Sequence, residues 1–199
     1  WKLAKDLNEG DYIIIASNIK PNLENPKIEW WKNLDKENTF VSIKGQERRL
    51  KEVKDFSQID GIKHAKLKSN VARAKFIKPI FNIAPKFAEF IGLMYSDGYI
   101  GFDEVSITGE NKELLNYYRS FFKDLFGFTD ERITVKYGRQ GKTVVYSTIL
   151  AELLTKGFGL PRNKKPKDAK LPSWLFKCNQ ETIASFIKGY YYGDGSQAW

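Results

Sequence analysis

Two segments of the chain carry the same pattern: residues 90–98 read FIGLMYSDG, and residues 187–195 read IKGYYYGDG. The first glycine, the tyrosine, the aspartate and the last glycine coincide at an offset of 97 residues. Apolar residues at helical spacing after Pro85 predict that the first segment lies on a helix ended by Gly98 in the left-handed conformation. The second belongs to a predicted helix from Gln180 to Tyr192 that ends at Gly195. The repeat therefore predicts two equivalent helices.

The shared glycines, Gly92 and Gly189, predict that these two helices pack on each other. Glycine inside a helix costs about 1 kcal/mol relative to alanine, so it usually marks a close approach of two backbones. Each helix would deliver one aspartate, Asp97 or Asp194, to its C-terminal end, where the helix dipole is negative. The alternative is that each Asp-Gly pair is only a turn after a core helix.

Two carboxylates at neighbouring helix ends, with the carbonyls of Gly98 and Gly195 beside them, favour the binding of a divalent cation. Mg²⁺ prefers such hard oxygen ligands, usually together with phosphate oxygens. A cation at this place would lower the pKa of an attacking water and stabilise the leaving oxygen of a phosphodiester. The sequence therefore predicts Mg²⁺ as the cofactor, held by Asp97 and Asp194.

The positive charge of the chain is concentrated in two blocks. The net charge is +9, and residues 44–78 contain 11 Lys or Arg against 4 Asp or Glu, while residues 131–170 contain 10 against 3. Clustered Lys and Arg displace counterions from phosphates, so this distribution is typical of a protein that binds a polyanion. Ordinary solubility charge in a lysine-rich protein is the alternative that composition leaves open.

Between the repeated helices the sequence predicts an α+β order. Residues 105–108 read as a strand, and Asn111–Phe126 as an amphipathic helix that ends at Gly127. Its predicted buried stripe is Leu114, Tyr118, Phe121 and Leu125. A hairpin follows, in which Arg132 to Tyr137 and Lys142 to Tyr146 flank a turn over 138–141, with one apolar and one basic face. Ser147 caps a helix that runs through Leu154 and stops at Gly157.

The two nonapeptides resemble the paired motifs of LAGLIDADG (DOD-type) homing endonucleases. Residues 105–115, 145–154 and 170–176 resemble the units between these motifs and ahead of the second one, so that the resemblance covers about residues 85–196. It implies an αββαββα half plus the second motif helix, with a sheet that lies in the DNA major groove. The implied activity is Mg²⁺-dependent, site-specific hydrolysis of both strands of a long duplex DNA site. A DNA- or RNA-binding module that does not cleave, of the maturase or regulator type, is the alternative.

The same resemblance assigns roles to individual residues. Asp97 and Asp194 become catalytic metal ligands, and Lys170, with Lys167 as the second choice, matches the family's catalytic lysine. The alternative is that Lys170 and Lys167 belong to a solvated basic loop and contact only the phosphates of the DNA backbone. Basic side chains of the hairpin and of the following loop are expected to contact DNA: Arg132, Lys136, Arg139, Lys142, Arg162, Lys164 and Lys165.

The beginning of the chain resembles another kind of segment. Residues 1–16 are similar to the last block of the N-terminal splicing half of an archaeal-type intein, a small, mostly β unit that precedes an inserted endonuclease. On this resemblance we expect residues 17–84 to be a connecting, basic and DNA-contacting region with a Trp30-Trp31 anchor. Residues 85–199 would be an endonuclease domain with a truncated second half. We expect this piece alone to make no double-strand breaks and to need a C-terminal segment or a second copy of the chain.

The chain contains one cysteine and one histidine, which excludes several kinds of site and activity. Cys178 is the only cysteine, which excludes an internal disulfide and a multi-cysteine metal site and predicts a reducing, cytoplasmic setting. His64 is the only histidine and has none of the sequence context that protein splicing needs, so self-splicing is expected of the parent protein and not of this segment. No stretch is apolar enough to predict a membrane span.

Overall fold

The computed structural model describes residues 24–34, 36–64, 76–78, 80–138, 141–163 and 171–194. This part of the chain is mixed α and β, in agreement with the predicted α+β class. The splicing-type segment predicted over residues 1–16 lies outside the described residues. None of the described helices is both long enough and apolar enough to cross a membrane.

Within the described ranges, five strands precede the α-helix that begins at Pro85: β1 (Lys27–Glu29), β2 (Thr39–Ile43), β3 (Gln46–Arg49), β4 (Gly61–His64) and β5 (Ile80–Asn82). β1 pairs with β5, while β2 lies between β3 and β4, and all these pairs are antiparallel. The prediction of a connecting region over residues 17–84 was therefore incomplete, because this region contains strands. Lys44 and Gly45 both have positive φ, the combination that tight hairpin turns require, and they join β2 to β3.

The other described α-helices and strands follow the order α-β-β-α-β-β-α and end with one more α-helix. They are α1 (Pro85–Ser96), β6 (Gly98–Ile100), β7 (Glu104–Gly109), α2 (Lys112–Phe126), β8 (Ile133–Lys136), β9 (Gly141–Tyr146), α3 (Thr148–Glu152) and α4 (Gln180–Asp194). The four strands form an antiparallel sheet in the order β6-β7-β9-β8. After α3 the chain continues as a π-helix over Leu153–Gly157.

Local signals predicted the ends of α2 and the start of α3 correctly. The side chain of Asn111 caps α2 by accepting a hydrogen bond from the Leu114 amide, and Gly127 ends it in the left-handed conformation. Ser147 caps α3 in the same manner. The prediction for Gly98 was wrong: it does not adopt positive φ but begins β6, where a Cβ would lie 2.4 Å from the Cα of Met94.

A single apolar core joins the early strands to the later elements. At its centre the rings of Phe81, Phe87, Phe126, Phe158 and Trp174 pack on one another. The buried residues of α2 are Leu115, Tyr118, Phe121, Phe122 and Phe126, so the predicted stripe was only half right. Leu114 and Leu125 lie at its border because α2 packs on both α1 and the sheet, which requires a broader apolar face.

Candidate functional site at two packed helix ends

Helices α1 and α4 pack so closely that two positions admit only glycine. A Cβ on Gly92 would lie 2.1 Å from the carbonyl oxygen of Phe186, and a Cβ on Gly189 would lie 2.0 Å from the carbonyl oxygen of Glu89. Both distances are far below any real contact of a Cβ atom. The mid-helix glycines of the repeat thus lie at a direct backbone-to-backbone approach.

These contacts are reciprocal. Gly92 contacts Phe186, and Gly189 contacts Glu89. Gly189 lies 97 positions after Gly92, and Phe186 lies 97 positions after Glu89. Such an exchange of equivalent contacts is the signature of two-fold symmetry between packed surfaces. The repeat in the sequence is therefore a repeat in space, and α1 and α4 are related by a local pseudo-two-fold axis.

The C-terminal ends of the two helices meet at this axis. A Cβ on Gly193 would lie 1.9 Å from the hydroxyl oxygen of Ser96 and 2.9 Å from the carboxylate oxygen Oδ2 of Asp97. Ser96 is fully buried and donates a hydrogen bond to the carbonyl of Leu93. The Asp97 carboxylate therefore lies directly beside the last turn of α4, whose final residue is Asp194.

The backbone of Asp97 is held from two sides. Its amide donates to the Leu93 carbonyl over 2.9 Å, and its carbonyl accepts hydrogen bonds from both the amide and the hydroxyl of Thr108 on β7. Asp97 is thus the point at which helix and sheet are joined. The side chain of Asp194, and Gly195 with its carbonyl, lie outside the described residues.

Asp97 borders an open cleft of about 690 Å³ between the helix ends and α2. Burial raises the pKa of Tyr118 to about 12, with smaller contributions from the negative charges of Asp97 and Glu110. This phenol therefore stays protonated near neutral pH. With the negative ends of two helices also pointing to this place, the cleft favours cations over anions. Its walls are formed by Asp97, Gly109, Glu110, Asn111, Glu113, Leu114, Tyr117, Tyr118, Tyr191, Tyr192 and Gly193.

A buried polar network beside the cleft was missed by sequence reasoning. Glu89, only 7% exposed, accepts a hydrogen bond from the hydroxyl of Tyr117 over 2.7 Å and forms an ion pair with Lys188 over 3.0 Å. It links all three of α1, α2 and α4. The available signal was a glutamate among apolar residues on the buried face of α1, because a carboxylate at such a place needs partners.

The exposed face of the four-stranded sheet carries the predicted hairpin lysines. Lys136 and Lys142 are direct partners in the register of β8 and β9, so they share one face. Lys142 forms an ion pair with Glu104 over 2.7 Å. Arg132 lies just before β8, in a 3₁₀ turn over Asp130–Arg132 and not in the strand as predicted. Arg139 lies outside the described residues.

The predicted basic loop after α3 is described only at its beginning. Arg162 forms an ion pair with the buried carboxylate of Glu152 over 2.9 Å and lies over the ring of Phe102. Its guanidinium is therefore already engaged within the fold. The other four members of the loop lie outside the described residues: Lys164, Lys165, Lys167 and Lys170.

Among the described residues, no three His, Cys, Asp or Glu side chains are close enough together to hold a metal ion. Asp97 is the described carboxylate at the helix ends. Mg²⁺ is commonly bound by one or two protein carboxylates together with substrate phosphates, so a cluster of three is not required. The donor type and the local negative charge at Asp97 suit such a cation.

Comparison with known proteins gives short matches within long chains. No family model matches. The chain is 26% identical over 194 residues to a subunit of the A-type ATP synthase of Pyrococcus abyssi, covering 97% of this chain and 15% of that protein. It is 30% identical over 111 residues to the RNA polymerase subunit Rpo1C of Methanocaldococcus jannaschii, covering 55% and 12%. A probable translation initiation factor IF-2 of the same organism is 31% identical over 106 residues, covering 53% and 9%.

Proposed function

We propose that the chain is part of a LAGLIDADG-type homing endonuclease carried within an intein, and that it takes part in Mg²⁺-dependent, site-specific cleavage of duplex DNA. The observation that carries this proposal is the reciprocal packing at Gly92 and Gly189, which brings the ends of two equivalent helices together. Cleavage of both strands by two equivalent sites would use one carboxylate at each helix end, and Asp97 and Asp194 are the proposed pair.

The comparisons support an inserted element. The three relatives are named for ATP synthesis, transcription and translation initiation, which have no activity in common. Between 106 and 194 residues of this chain nevertheless match each of the three, and each match spans only 9–15% of the relative's length. A segment shared in this way is expected of a mobile insertion and not of a domain that serves each host protein's activity.

In the proposed reaction the aspartates hold the cation and the sheet holds the DNA. When bound, Mg²⁺ would lower the pKa of the attacking water and offset negative charge on the phosphodiester. The Thr108 hydrogen bonds fix the backbone of Asp97, and so place its carboxylate relative to the sheet. Lys170 or Lys167 would supply positive charge near the reacting phosphate.

The exposed sheet face supports DNA binding by its charge arrangement. Lys136 and Lys142 stand directly opposite each other, and like charges at such positions destabilise a sheet unless an anion balances them. Glu104 balances one of them within the protein. A DNA phosphate is the proposed partner of the other.

The test uses the protein expressed from its intact gene, with whatever segments flank residues 1–199. The protein is incubated with Mg²⁺ and a library of DNA duplexes, one of which is the host gene without the inserted segment. The ends of the cut duplexes are then sequenced. We expect the ends to share one site. The variant Asp97→Asn should stop cutting and keep binding, whereas Asp124→Asn, which changes an exposed carboxylate on α2, should leave both cutting and binding unchanged.

Two other outcomes are informative. If the wild-type protein binds one duplex sequence selectively but cuts none, the function is that of a non-cleaving binding module. If it neither binds nor cuts any duplex, the proposed function is overturned.

A further inference from the structure

The pair formed by Glu104 and Lys142 occupies the middle of the exposed sheet face. The two residues lie on the adjacent central strands β7 and β9, and their charged atoms Oε1 and Nζ are 2.7 Å apart. Their side chains are 22% and 32% exposed, respectively. Both charged groups are therefore held in place but remain accessible from outside.

The strand register explains why this pair is held so firmly. Glu104 is opposite Tyr146, Lys142 is opposite Thr108, and the pair Ser106–Val144 lies between them. Since strand residues alternate between the two faces, Ser106 and Val144 point outward with the charged residues, yet they are only 4% and 0% exposed. The two long side chains extend toward each other over them.

Two interactions fix the charge states and the geometry. The hydrogen bond from Lys142 lowers the pKa of Glu104, and the same bond raises the pKa of Lys142, so both groups are charged near neutral pH. The hydroxyl of Ser106 donates a second hydrogen bond to Glu104 Oε1 over 3.0 Å. The result is a donor and an acceptor side by side in a fixed order.

We propose that Glu104 and Lys142 together read one base pair in the major groove of duplex DNA, with guanine at Lys142 and cytosine at Glu104. This inference rests on the proposed function and adds to it a residue pair that determines sequence specificity.

The spacing of the pair matches the edge of a base pair. In a G·C pair the guanine O6 accepts a hydrogen bond from the cytosine N4 amino group, so these atoms are about 2.9 Å apart. In the major groove O6 remains an acceptor and N4 still has a hydrogen to donate. Lys142 can donate to O6 while Glu104 accepts from N4, and the two side chains need not separate, because an ammonium has three donors and a carboxylate about four acceptor positions.

The order of donor and acceptor selects the orientation. A C·G pair presents its amino group where Lys142 needs an acceptor and its carbonyl where Glu104 needs a donor, and an A·T pair fails in the same way. A T·A pair presents the correct two groups, but a methyl group stands where guanine offers N7 as a second acceptor. Guanine is therefore preferred at Lys142, with thymine second.

The experiment exchanges the charges of Glu104 and Lys142 and measures whether the preferred base pair changes from G·C to C·G. The duplex that the full chain retains best is randomised at one position at a time, and binding is measured without Mg²⁺ so that the duplexes stay intact. The wild type should favour G·C over C·G at one position by about tenfold or more, as expected of a good bidentate contact. The double variant E104K/K142E should favour C·G at that position by a similar factor.

Controls separate base recognition from a purely structural ion pair. The exchange K86D/D124K reverses an exposed ion pair between α1 and α2 and should leave every base preference unchanged. Should the exchanged sheet pair fail to fold, Glu104→Gln serves instead. It replaces a carboxylate by an amide that can donate as well as accept, and it should reduce the preference at the same position to less than about threefold.

The outcomes distinguish the two proposals. If the wild type retains no duplex selectively, the proposed function fails and this inference fails with it. If it retains a defined site, but E104K/K142E and Glu104→Gln prefer the same base pair at every position with the wild-type ratios, this inference alone is overturned.

Discussion

Tyr117 donates its hydroxyl hydrogen to Glu89 over 2.7 Å, and this bond joins α2 to the buried face of the helix that carries Asp97. Removing the hydroxyl in Tyr117→Phe leaves a buried carboxylate with one partner fewer. We expect a loss of about 1.5–3 kcal/mol in the free energy of unfolding, as for other hydrogen bonds to charged groups. Urea unfolding followed by circular dichroism measures it.

The matched control is Tyr137→Phe, which removes the hydroxyl of an exposed tyrosine at the end of the hairpin. It should shift the urea midpoint very little. Equal midpoints for the two variants would show that the hydrogen bond from Tyr117 to Glu89 contributes nothing to stability.

Gly189 is predicted to be the least replaceable position of α4. A Cβ there would overlap the Glu89 carbonyl, and because that atom belongs to the backbone of α1, a helix must move. Although alanine is the better helix former, Gly189→Ala should lower the free energy of unfolding by about 1–3 kcal/mol, the usual cost of overpacking. Thermal and urea unfolding test this.

Ser185→Ala, on the exposed side of the same helix, is the control for helix propensity alone. It should leave stability unchanged or raise it slightly. A Gly189→Ala variant as stable as Ser185→Ala would contradict the close approach of the two helices.

The stability contribution of Glu152 should depend on pH. Burial raises the pKa of this carboxyl, but the hydrogen bonds and charges of Lys156 and Arg162 outweigh burial, and the pKa lies below its ordinary value of 4.5. A carboxyl whose folded pKa is lowered stabilises the protein above its unfolded pKa, and this contribution is lost as the pH falls through the folded value. Wild type should therefore be more stable than Glu152→Gln at pH 7, and the difference should shrink below about pH 4.

The measurement is urea unfolding of both proteins at pH 7, 5 and 3. A wild-type advantage of the same size at pH 3 and pH 7 would mean that the charge of Glu152 is not what stabilises it.

The sequence predicted the parts of the fold that depend on neighbouring residues. A helix from Asn111 that ends at Gly127 was predicted, and the structure places these two residues at its ends, Asn111 as the N-cap and Gly127 in the left-handed conformation. β6 was missed because three residues are too few to show alternation, and Gly98 was interpreted as a helix end. β3, which reads QERR, has no apolar residue at all and is a strand because the turn at Lys44 and Gly45 pairs it with β2.

The candidate site also has features that the sequence predicted and features that it did not. The close approach at Gly92 and Gly189 could be predicted because the two glycines belong to a repeat along the chain. Glu89 and Glu104 could not, because their partners, Tyr117 and Lys142, are distant in sequence and come together only through helix packing and strand register. Their environment, and not their residue type, gives them their roles.

The exposed hairpin lysine Lys136 should contribute to DNA binding through phosphate charge. Each phosphate contact releases counterions and adds about 0.9 to the slope of log affinity against log salt. Lys136→Ala should therefore weaken binding to all duplexes alike and flatten the slope by about one unit, and Arg132→Ala should do the same.

Lys123→Ala is the control, since this lysine lies on α2, on the other side of the sheet, and is paired with Asp130. Fluorescence anisotropy at salt concentrations from 50 to 300 mM, roughly the range over which such slopes are resolved, gives the answer. If all three variants keep the wild-type affinity and slope, the charges of the hairpin serve solubility and the sheet face is not the DNA-binding surface.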